Sequence, residues 1–160
     1  MAQQLWLLRH GEAEPHDARP DTDRRLTQRG EEQSRAAGRA LAALEVTFQL
    51  VLSSPRLRAL DTARLACETL GHEQVVIDEA LSSGFSVEDA LELVAAAGDD
   101  KRVLLVGHNP DFEQVLHDLT GAAVDLKKGG VAAVRMQGRR RGELLVLLRP
   151  RELSLIAGRG

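Results

Sequence analysis

An arginine, a histidine and a glycine directly follow an apolar run near the start of the chain. Residues Leu5–Leu8 are all apolar and too few for a helix, so they predict a buried strand, and Arg9, His10 and Gly11 come next. Arginine offers a rigid fork of donors that matches phosphate oxygens, and histidine can act as a nucleophile, a base or a metal ligand. Glycine lets the backbone turn sharply and approach a ligand closely. Because ligands of open α/β sheets bind at the carboxyl ends of the strands, this junction predicts an anion site.

Two further predicted strand ends carry residues that suit phosphate. Arg58 lies just after the second predicted strand, and His108 lies just after the fourth. The carboxyl ends of parallel strands meet at one edge of a sheet, so we expect Arg9, His10, Arg58 and His108 to lie together. The N-termini of the following helices add free N–H groups and positive dipole ends at that edge. Together these groups suit a tetrahedral dianion and require no metal.

Apolar periodicity and turn residues predict that strands and helices alternate along the first 120 residues. The predicted strands are 5–8, 48–52, 75–77, 103–106, 131–136 and 144–148, and the predicted helices are about 28–44, 55–70, 87–97 and 110–120, with a short helix or a frayed end over the last ten residues. We therefore predict an α/β fold: three α/β/α layers around a mainly parallel sheet of about six strands, with a C-terminal hairpin.

Local signals predict several helix starts. Thr27 is a suitable N-cap for the first helix, and Ser86 with Asp89 resembles a capping box. Asn109 is a suitable N-cap for the fourth helix, with Pro110 as its first residue.

Composition predicts one domain over residues 1–160 and excludes several functions. The formal net charge of −3 gives no reason to expect general attraction to nucleic acid or to an anionic membrane. Cys67 is the only cysteine, so no internal disulfide can form, and a reducing compartment fits. Since the sequence contains neither a signal-peptide pattern nor an apolar run of about 20 residues, we expect a cytoplasmic protein.

Two other chemistries fit the sequence less well. His10, His108 and Asp17 could be drawn as a metal site, but Arg9, adjacent to His10, would repel a dication, so we expect no metal and no cofactor. Ser53 or Ser54 could be a nucleophile, but no Gly-x-Ser-x-Gly elbow surrounds them.

Several motifs, in order along the chain, resemble those of a known family. The segment Leu8–Glu12 (LRHGE) resembles the signature of the histidine phosphatase superfamily, the phosphoglycerate mutase-like proteins. The segment Ser54–Thr62 (SPxxRAxxT) is similar to the second motif of that family, Gly107–His108 to its third, and Leu26–Gly30 (LTxxG) to its first-helix entry. The short length and the Gly-His-Asn-Pro form of the third motif most resemble the bacterial phosphohistidine phosphatase branch (SixA type).

The resemblance implies a covalent mechanism and a substrate. His10 would attack phosphorus and become phosphohistidine, which water then hydrolyses, while Arg9, Arg58 and His108 would hold the phosphoryl oxygens. Gly11 and Asn109 would also contact phosphate or substrate. The partners implied are a histidine-phosphorylated protein of the phosphorelay type and the phosphate ion. The attacking nitrogen of His10 must be unprotonated, and we predict that a backbone carbonyl fixes this tautomer.

The general acid of the family has no clean match in this sequence. Larger members carry a glutamate acid in the loop after the third strand, and Glu79 is the nearest candidate here, although its spacing to Gly84 does not match cleanly. A site without a clear acid favours phosphohistidine, because imidazole is a better leaving group than an alkoxide. One alternative is a small-molecule phosphomonoesterase or mutase of the same superfamily, in which Glu79 would point into the pocket near His108. The other is a non-catalytic phosphoprotein-binding module.

Overall fold

The computed structural model of the protein describes residues 2–158. Their strands are β1 (Gln4–Arg9), β2 (Leu50–Ser53), β3 (Val76–Ile77), β4 (Arg102–Gly107), β5 (Val131–Met136) and β6 (Gly142–Leu148). Their helices are α1 (Gln28–Ala43), α2 (Leu57–Leu70), α3 (Val87–Ala97), α4 (Asp111–Thr120) and α5 (Pro150–Ala157), with 3₁₀ turns at Asp21–Asp23 and Glu79–Leu81. None of the helices in this part of the chain is long and apolar enough to cross a membrane.

The strands form one sheet in the order β3-β2-β4-β1-β5-β6. The first four strands in that order are parallel to one another, and β5 and β6 are antiparallel additions at the end. This arrangement confirms the predicted α/β fold with a mainly parallel sheet of six strands and a C-terminal hairpin. As predicted, the apolar strand β4 is central, between β2 and β1.

Alternation along β1 divides the core into two layers. Leu5 and Leu7 face the side covered by α3 and α4, whereas Trp6 and Leu8 face the side covered by α1, α2 and α5. Successive side chains of a strand point to opposite faces of the sheet, so a strand that is apolar throughout must be covered on both faces.

The hairpin returns the chain to the carboxyl edge of β1. Val131, the first residue of β5, lies opposite both Leu8 of β1 and Leu148 at the end of β6. The segment before β5 and the start of α5 therefore lie at the same edge as Arg9, while the hairpin turn lies at the opposite edge.

Some predicted helix starts were correct and others were wrong. Thr27 caps α1 and Ser86 caps α3 in a full capping box. By contrast, α2 begins at Leu57 rather than Pro55, and α4 begins at Asp111 after an N-cap at Pro110. Asn109 does not cap α4, because its side-chain amide donates instead to the carbonyl of Leu126, 2.9 Å away.

The prediction for the last ten residues was a short helix or a frayed end. The structure has a helix that ends at Ala157. The part of that prediction concerning residues 159–160 lies outside the described residues.

Candidate active site

The predicted site residues meet at the carboxyl edge of the parallel strands. Arg9 ends β1, and its register partner on the neighbouring strand β4 is Gly107, so His10 and His108 emerge side by side. Their ring centroids are 5.3 Å apart and the ring planes are inclined by 54°. Arg58 lies in the first turn of α2, which follows β2 on the other side of β4.

A main-chain carbonyl determines the tautomer of His10. The ring is buried, and its Nδ1 lies 2.7 Å from the carbonyl oxygen of Gly11. A carbonyl can only accept, so Nδ1 carries the proton and Nε2 keeps a free lone pair. Burial lowers the pKa of His10 to about 3; the carbonyl of Gly11 opposes this shift, and the charges of Arg58, Arg9 and Lys128 add to it. The imidazole is therefore neutral near pH 7, and the predicted backbone partner is the carbonyl of Gly11.

His108 is held by a serine of the second motif. Its Nε2 lies 2.8 Å from Oγ of Ser54, and Oγ also accepts the main-chain N–H of Arg56 at 3.2 Å. With the hydroxyl proton directed at Nε2, Ser54 both donates and accepts, and the N–H of His108 is then at Nδ1. Nδ1 is buried and has no hydrogen-bond partner within residues 2–158.

The surroundings of His108 also keep it uncharged. Its pKa is lowered to about 3, mainly by burial and also by the neighbouring His10, Arg58 and Arg56, whereas the carboxylate of Asp21 acts in the opposite direction. Two neutral imidazoles thus face each other in a setting where the positive charge comes from arginines.

Both arginines are anchored by some of their nitrogens and leave another unused. Nη1 of Arg9 donates to the carbonyl of Leu126 at 2.9 Å, and Nη1 of Arg58 donates to the carbonyl of Asp21 at 2.8 Å. Nε of each guanidinium is buried and has no partner among the described residues. Buried donors are almost always hydrogen-bonded, so the unpaired Nε donors of Arg9 and Arg58 are suited to an oxyanion ligand.

A threonine connects the first two motifs. The main-chain N–H of Gly11 donates to Oγ1 of Thr62 at 3.1 Å, and the same hydroxyl donates to the carbonyl of Arg58 at 2.7 Å. The turn after β1 and the first turns of α2 are therefore held in a fixed relation.

The loop before β5 forms a support for the site that the sequence analysis missed. The carbonyl of Leu126 accepts hydrogen bonds from both Arg9 and Asn109, each at 2.9 Å. The N–H of Gly129 lies within 3.0 Å of the carbonyl oxygens of both Arg9 and His10. Gly129 has a φ of +78°, which favours glycine. The Gly-Gly pair at 129–130 was the available signal.

Asp21 and Ser54 also have roles that the sequence analysis did not assign. Asp21 pairs with Arg24, Arg56 and Arg58 at 3.0, 2.8 and 3.4 Å, and its position in the polar loop after β1 was the only sequence signal. Ser54 was weighed only as a nucleophile, yet it is fully buried, so a substrate cannot reach its hydroxyl.

Two other candidates from the sequence are exposed and form no hydrogen bond or ion pair with the site residues described above. Glu79 is exposed on the turn after β3 and makes no side-chain hydrogen bond or ion pair with any residue between 2 and 158. Asp17 is exposed on the loop after β1. Within the described residues, no group of three or more histidine, cysteine, aspartate or glutamate side chains could hold a metal ion.

Comparisons with known proteins point to one family. A family model described as the histidine phosphatase superfamily (branch 1) matches residues 5–83. An uncharacterised protein of Picosynechococcus sp. (strain PCC 7002) is 35% identical over 162 residues, which cover 94% of this chain and 98% of that one. A 2,3-bisphosphoglycerate-dependent phosphoglycerate mutase of Parvibaculum lavamentivorans is 35% identical over 100 residues, 55% of this chain and 48% of that one. The solved structure of the protein histidine phosphatase SixA complexed with tungstate has a TM-score of 0.85 and 25% identity, covering 94% of this chain and 99% of that one.

Proposed function

The chain belongs to the histidine phosphatase superfamily, and on that premise we propose that it removes phosphate from phosphohistidine on a protein. The observation that carries the proposal is the state of His10. Its Nδ1 proton is committed to the carbonyl of Gly11, so Nε2 is an unprotonated nucleophile beside the cations of Arg9 and Arg58.

In the first step, Nε2 of His10 attacks phosphorus in line with the leaving nitrogen. A bond forms between phosphorus and Nε2, and the bond between phosphorus and the substrate imidazole breaks. A phosphoimidazole that is protonated on its second nitrogen leaves as neutral imidazole. Arg9, Arg58 and the Nδ1 N–H of His108 stabilise the negative charge on the phosphoryl oxygens. Electrostatic stabilisation of these oxygens lowers the barrier to phosphoryl transfer.

In the second step, water attacks the phosphoryl group on His10. The bond between phosphorus and Nε2 breaks, inorganic phosphate leaves, and His10 returns to its neutral form. Its low pKa supports this cycle, because the imidazole is regenerated in the nucleophilic state near pH 7.

The charge state of Asp21 favours phosphohistidine over a phosphate ester. An alkoxide leaving group needs a proton from an acid, and Asp21 is near enough for its charge to act on His108. Although burial opposes the shift, Arg58, Arg24 and Arg56 lower the pKa of Asp21, so this carboxyl is ionised and donates no proton. Glu79 is exposed and has no side-chain partner among the described residues. Neither carboxyl is therefore placed to protonate the alkoxide that leaves from a phosphate ester.

The test compares two synthetic peptides of one sequence, one with phosphohistidine and one with phosphoserine at the same position. We expect phosphate release from the phosphohistidine peptide to be faster by at least about 10², because an unassisted alkoxide leaves poorly. His10→Ala should abolish release. The matched control, His117→Ala, removes an exposed histidine on α4 and should retain wild-type turnover.

Other outcomes identify the alternatives. Faster release from phosphoserine would replace the proposal with a small-molecule phosphomonoesterase or mutase. A stable stoichiometric complex with the phosphohistidine peptide, with no phosphate released, would indicate a phosphoprotein-binding module. Unchanged turnover in His10→Ala would contradict the mechanism itself.

A further inference from the structure

A groove extends from the site along the face formed by α1 and α5. One cavity of about 590 Å³ is lined by residues that include Arg29, Arg39 and Arg151, and a second of about 410 Å³ is lined by residues that include Arg9, Lys127 and Lys128. The two cavities share Arg29 and Arg151 in their walls, so they lie next to each other. We call the combined feature the cationic groove.

The fold brings these cations together from three distant parts of the chain. The start of α1 packs against the turn after β1, where Thr27 N–H donates to the carbonyl of Glu12 at 3.0 Å. The β5–β6 hairpin returns the chain to the same edge, which brings Lys127 and Lys128 near the first turn of α5. The groove therefore adjoins the candidate active site at Arg9.

The charge in the groove contrasts with that of the chain as a whole. Eight arginine or lysine side chains and only two carboxylates, Glu12 and Glu32, line it, in a chain with a formal net charge of −3. Four of the eight cations pair with carboxylates, in the pairs Arg29–Glu12, Arg35–Glu31, Lys127–Asp125 and Arg149–Glu152. The other four, which form no ion pair within residues 2–158, are Arg9, Arg39, Lys128 and Arg151.

We propose that the cationic groove docks an acidic surface of the phosphorylated protein and thereby presents its phosphohistidine to His10. This inference rests on the proposed function and names the chemistry of the partner. Because the unpaired cations are spread along both cavities, a single phosphate ion cannot engage them together, whereas carboxylates spaced along a polypeptide can. Complementary charge of this kind raises the rate of encounter and selects partners.

The aromatic residues favour a polypeptide over a nucleic acid as the occupant. Proteins that bind single strands stack bases on exposed aromatic side chains. The chain has one tryptophan, three phenylalanines and no tyrosine, and all four aromatic rings are buried. The groove thus offers positive charge without a surface on which bases could stack.

The experiment uses two twelve-residue peptides with a central phosphohistidine, flanked by glutamates in one and by glutamines in the other. At low salt we expect kcat/KM to be about tenfold higher for the acidic peptide, mainly through KM. Exposed charges separated by more than about 3 Å are largely screened at 1 M salt, so the preference should disappear there. Fluorescent, unphosphorylated forms of both peptides give a separate binding measurement by anisotropy.

Two double variants with the same change of charge locate the effect. Arg29→Glu with Arg151→Glu alters two exposed residues in the shared wall of the groove, and both new glutamates are favourable near a helix N-terminus. Arg139→Glu with Arg141→Glu alters two exposed residues of the hairpin turn at the opposite edge of the sheet. We expect only the groove variant to lose the preference for the acidic peptide. If that variant does not fold by circular dichroism, Arg151→Gln alone replaces it, with Arg139→Gln as its control.

The outcomes separate this inference from the proposed function. If neither phosphohistidine peptide is hydrolysed but the acidic peptide still binds in the groove-dependent way, the proposed function fails and the docking surface stands. Equal binding and turnover of the two peptides, or an equal loss in the hairpin variant, overturns the docking surface. An oligodeoxynucleotide of equal charge that binds as tightly as the acidic peptide also overturns it, in favour of a general polyanion groove.

Discussion

At the scale of single residues, Ser54 holds the imidazole of His108 in place beside His10. Its hydroxyl lies 2.8 Å from Nε2, and the main-chain N–H of Arg56 occupies an acceptor position on the same oxygen. The other ring nitrogen, Nδ1, is buried and has no hydrogen-bond partner among the described residues. Ser54 is thus a positioning residue, which acts on the substrate only through His108.

Replacing Ser54 tests this role. Ser54→Ala should lower kcat about fivefold with little change in KM, since a net hydrogen bond contributes on the order of 1 kcal/mol and a tenfold rate change corresponds to about 1.4 kcal/mol. Steady-state kinetics measure the loss, and ¹⁵N NMR of the imidazoles shows whether the tautomer of His108 has become mixed. Ser53→Ala is the matched control, because its buried hydroxyl donates to the carbonyl of Ser54 and does not touch His108. An equal loss in both variants would mean that the effect is one of packing alone.

At the scale of elements, the start of α1 is both a helix cap and a support for the site. Oγ1 of Thr27 accepts the N–H of Gly30 at 3.1 Å and donates to Oε1 of Glu12 at 3.0 Å. A Cβ on Gly30 would lie 2.0 Å from the carbonyl oxygen of Glu12, so only glycine allows this close approach. The Leu-Thr-x-x-Gly motif therefore joins α1 to the turn that follows His10.

Two cap variants separate stability from activity. Thr27→Ala and Ser86→Ala each remove an N-cap and should each lower the free energy of unfolding by about 1 kcal/mol. Only Thr27→Ala should also lower kcat/KM, because Thr27 bonds Glu12 in the turn after β1, whereas within residues 2–158 the side chain of Ser86 bonds only Asp89 of its own helix. Urea unfolding and steady-state kinetics on the same samples measure both effects. Equal kinetic losses in the two variants would contradict a specific link between α1 and the site.

At the scale of the whole molecule, the site affects the stability of the folded chain. His10 and His108 are buried and uncharged, with pKa values of about 3 in the folded state. An unfolded histidine takes up a proton below about pH 6.5, so between these values the unfolded state binds more protons. Stability is therefore fully present above about pH 6.5 and is lost as the pH falls towards the folded pKa.

The pH dependence of unfolding tests this linkage. Between pH 7.5 and pH 5.0 we expect the free energy of unfolding to fall by roughly 1–2 kcal/mol for each of the two histidines. The double variant His10→Asn/His108→Asn should show a much smaller fall. The control His16→Asn/His117→Asn, which alters two exposed histidines, should retain the wild-type slope. A wild-type slope in the first double variant would contradict the link between the buried histidines and stability.

The family resemblance read from the motifs is confirmed, and so is the α/β fold class. The motifs carried the resemblance, and local chemistry is sufficient for the fold class: an apolar run predicts a buried strand, and alternation with amphipathic helices predicts a parallel sheet. A parallel sheet then brings the carboxyl ends of β1, β2 and β4 to one edge. For that reason Arg9, His10, Arg58 and His108 could be predicted to meet, although their catalytic roles remain a prediction.

The tertiary structure alone decided which groups hold those residues. The partners of the site come from far along the chain: Leu126 is 117 residues from Arg9, Ser54 is 54 from His108, and Asp21 is 37 from Arg58. Asn109 shows the same effect. Its position before Pro110 predicted a helix cap, but its side-chain amide donates to the carbonyl of Leu126 instead. Periodicity and capping describe neighbours within a few residues, whereas hydrogen bonds between distant segments depend on how strands and loops pack. The sequence by itself therefore determined the fold class and the edge at which the site lies, and packing decided the tautomers, the anchors and the cationic groove.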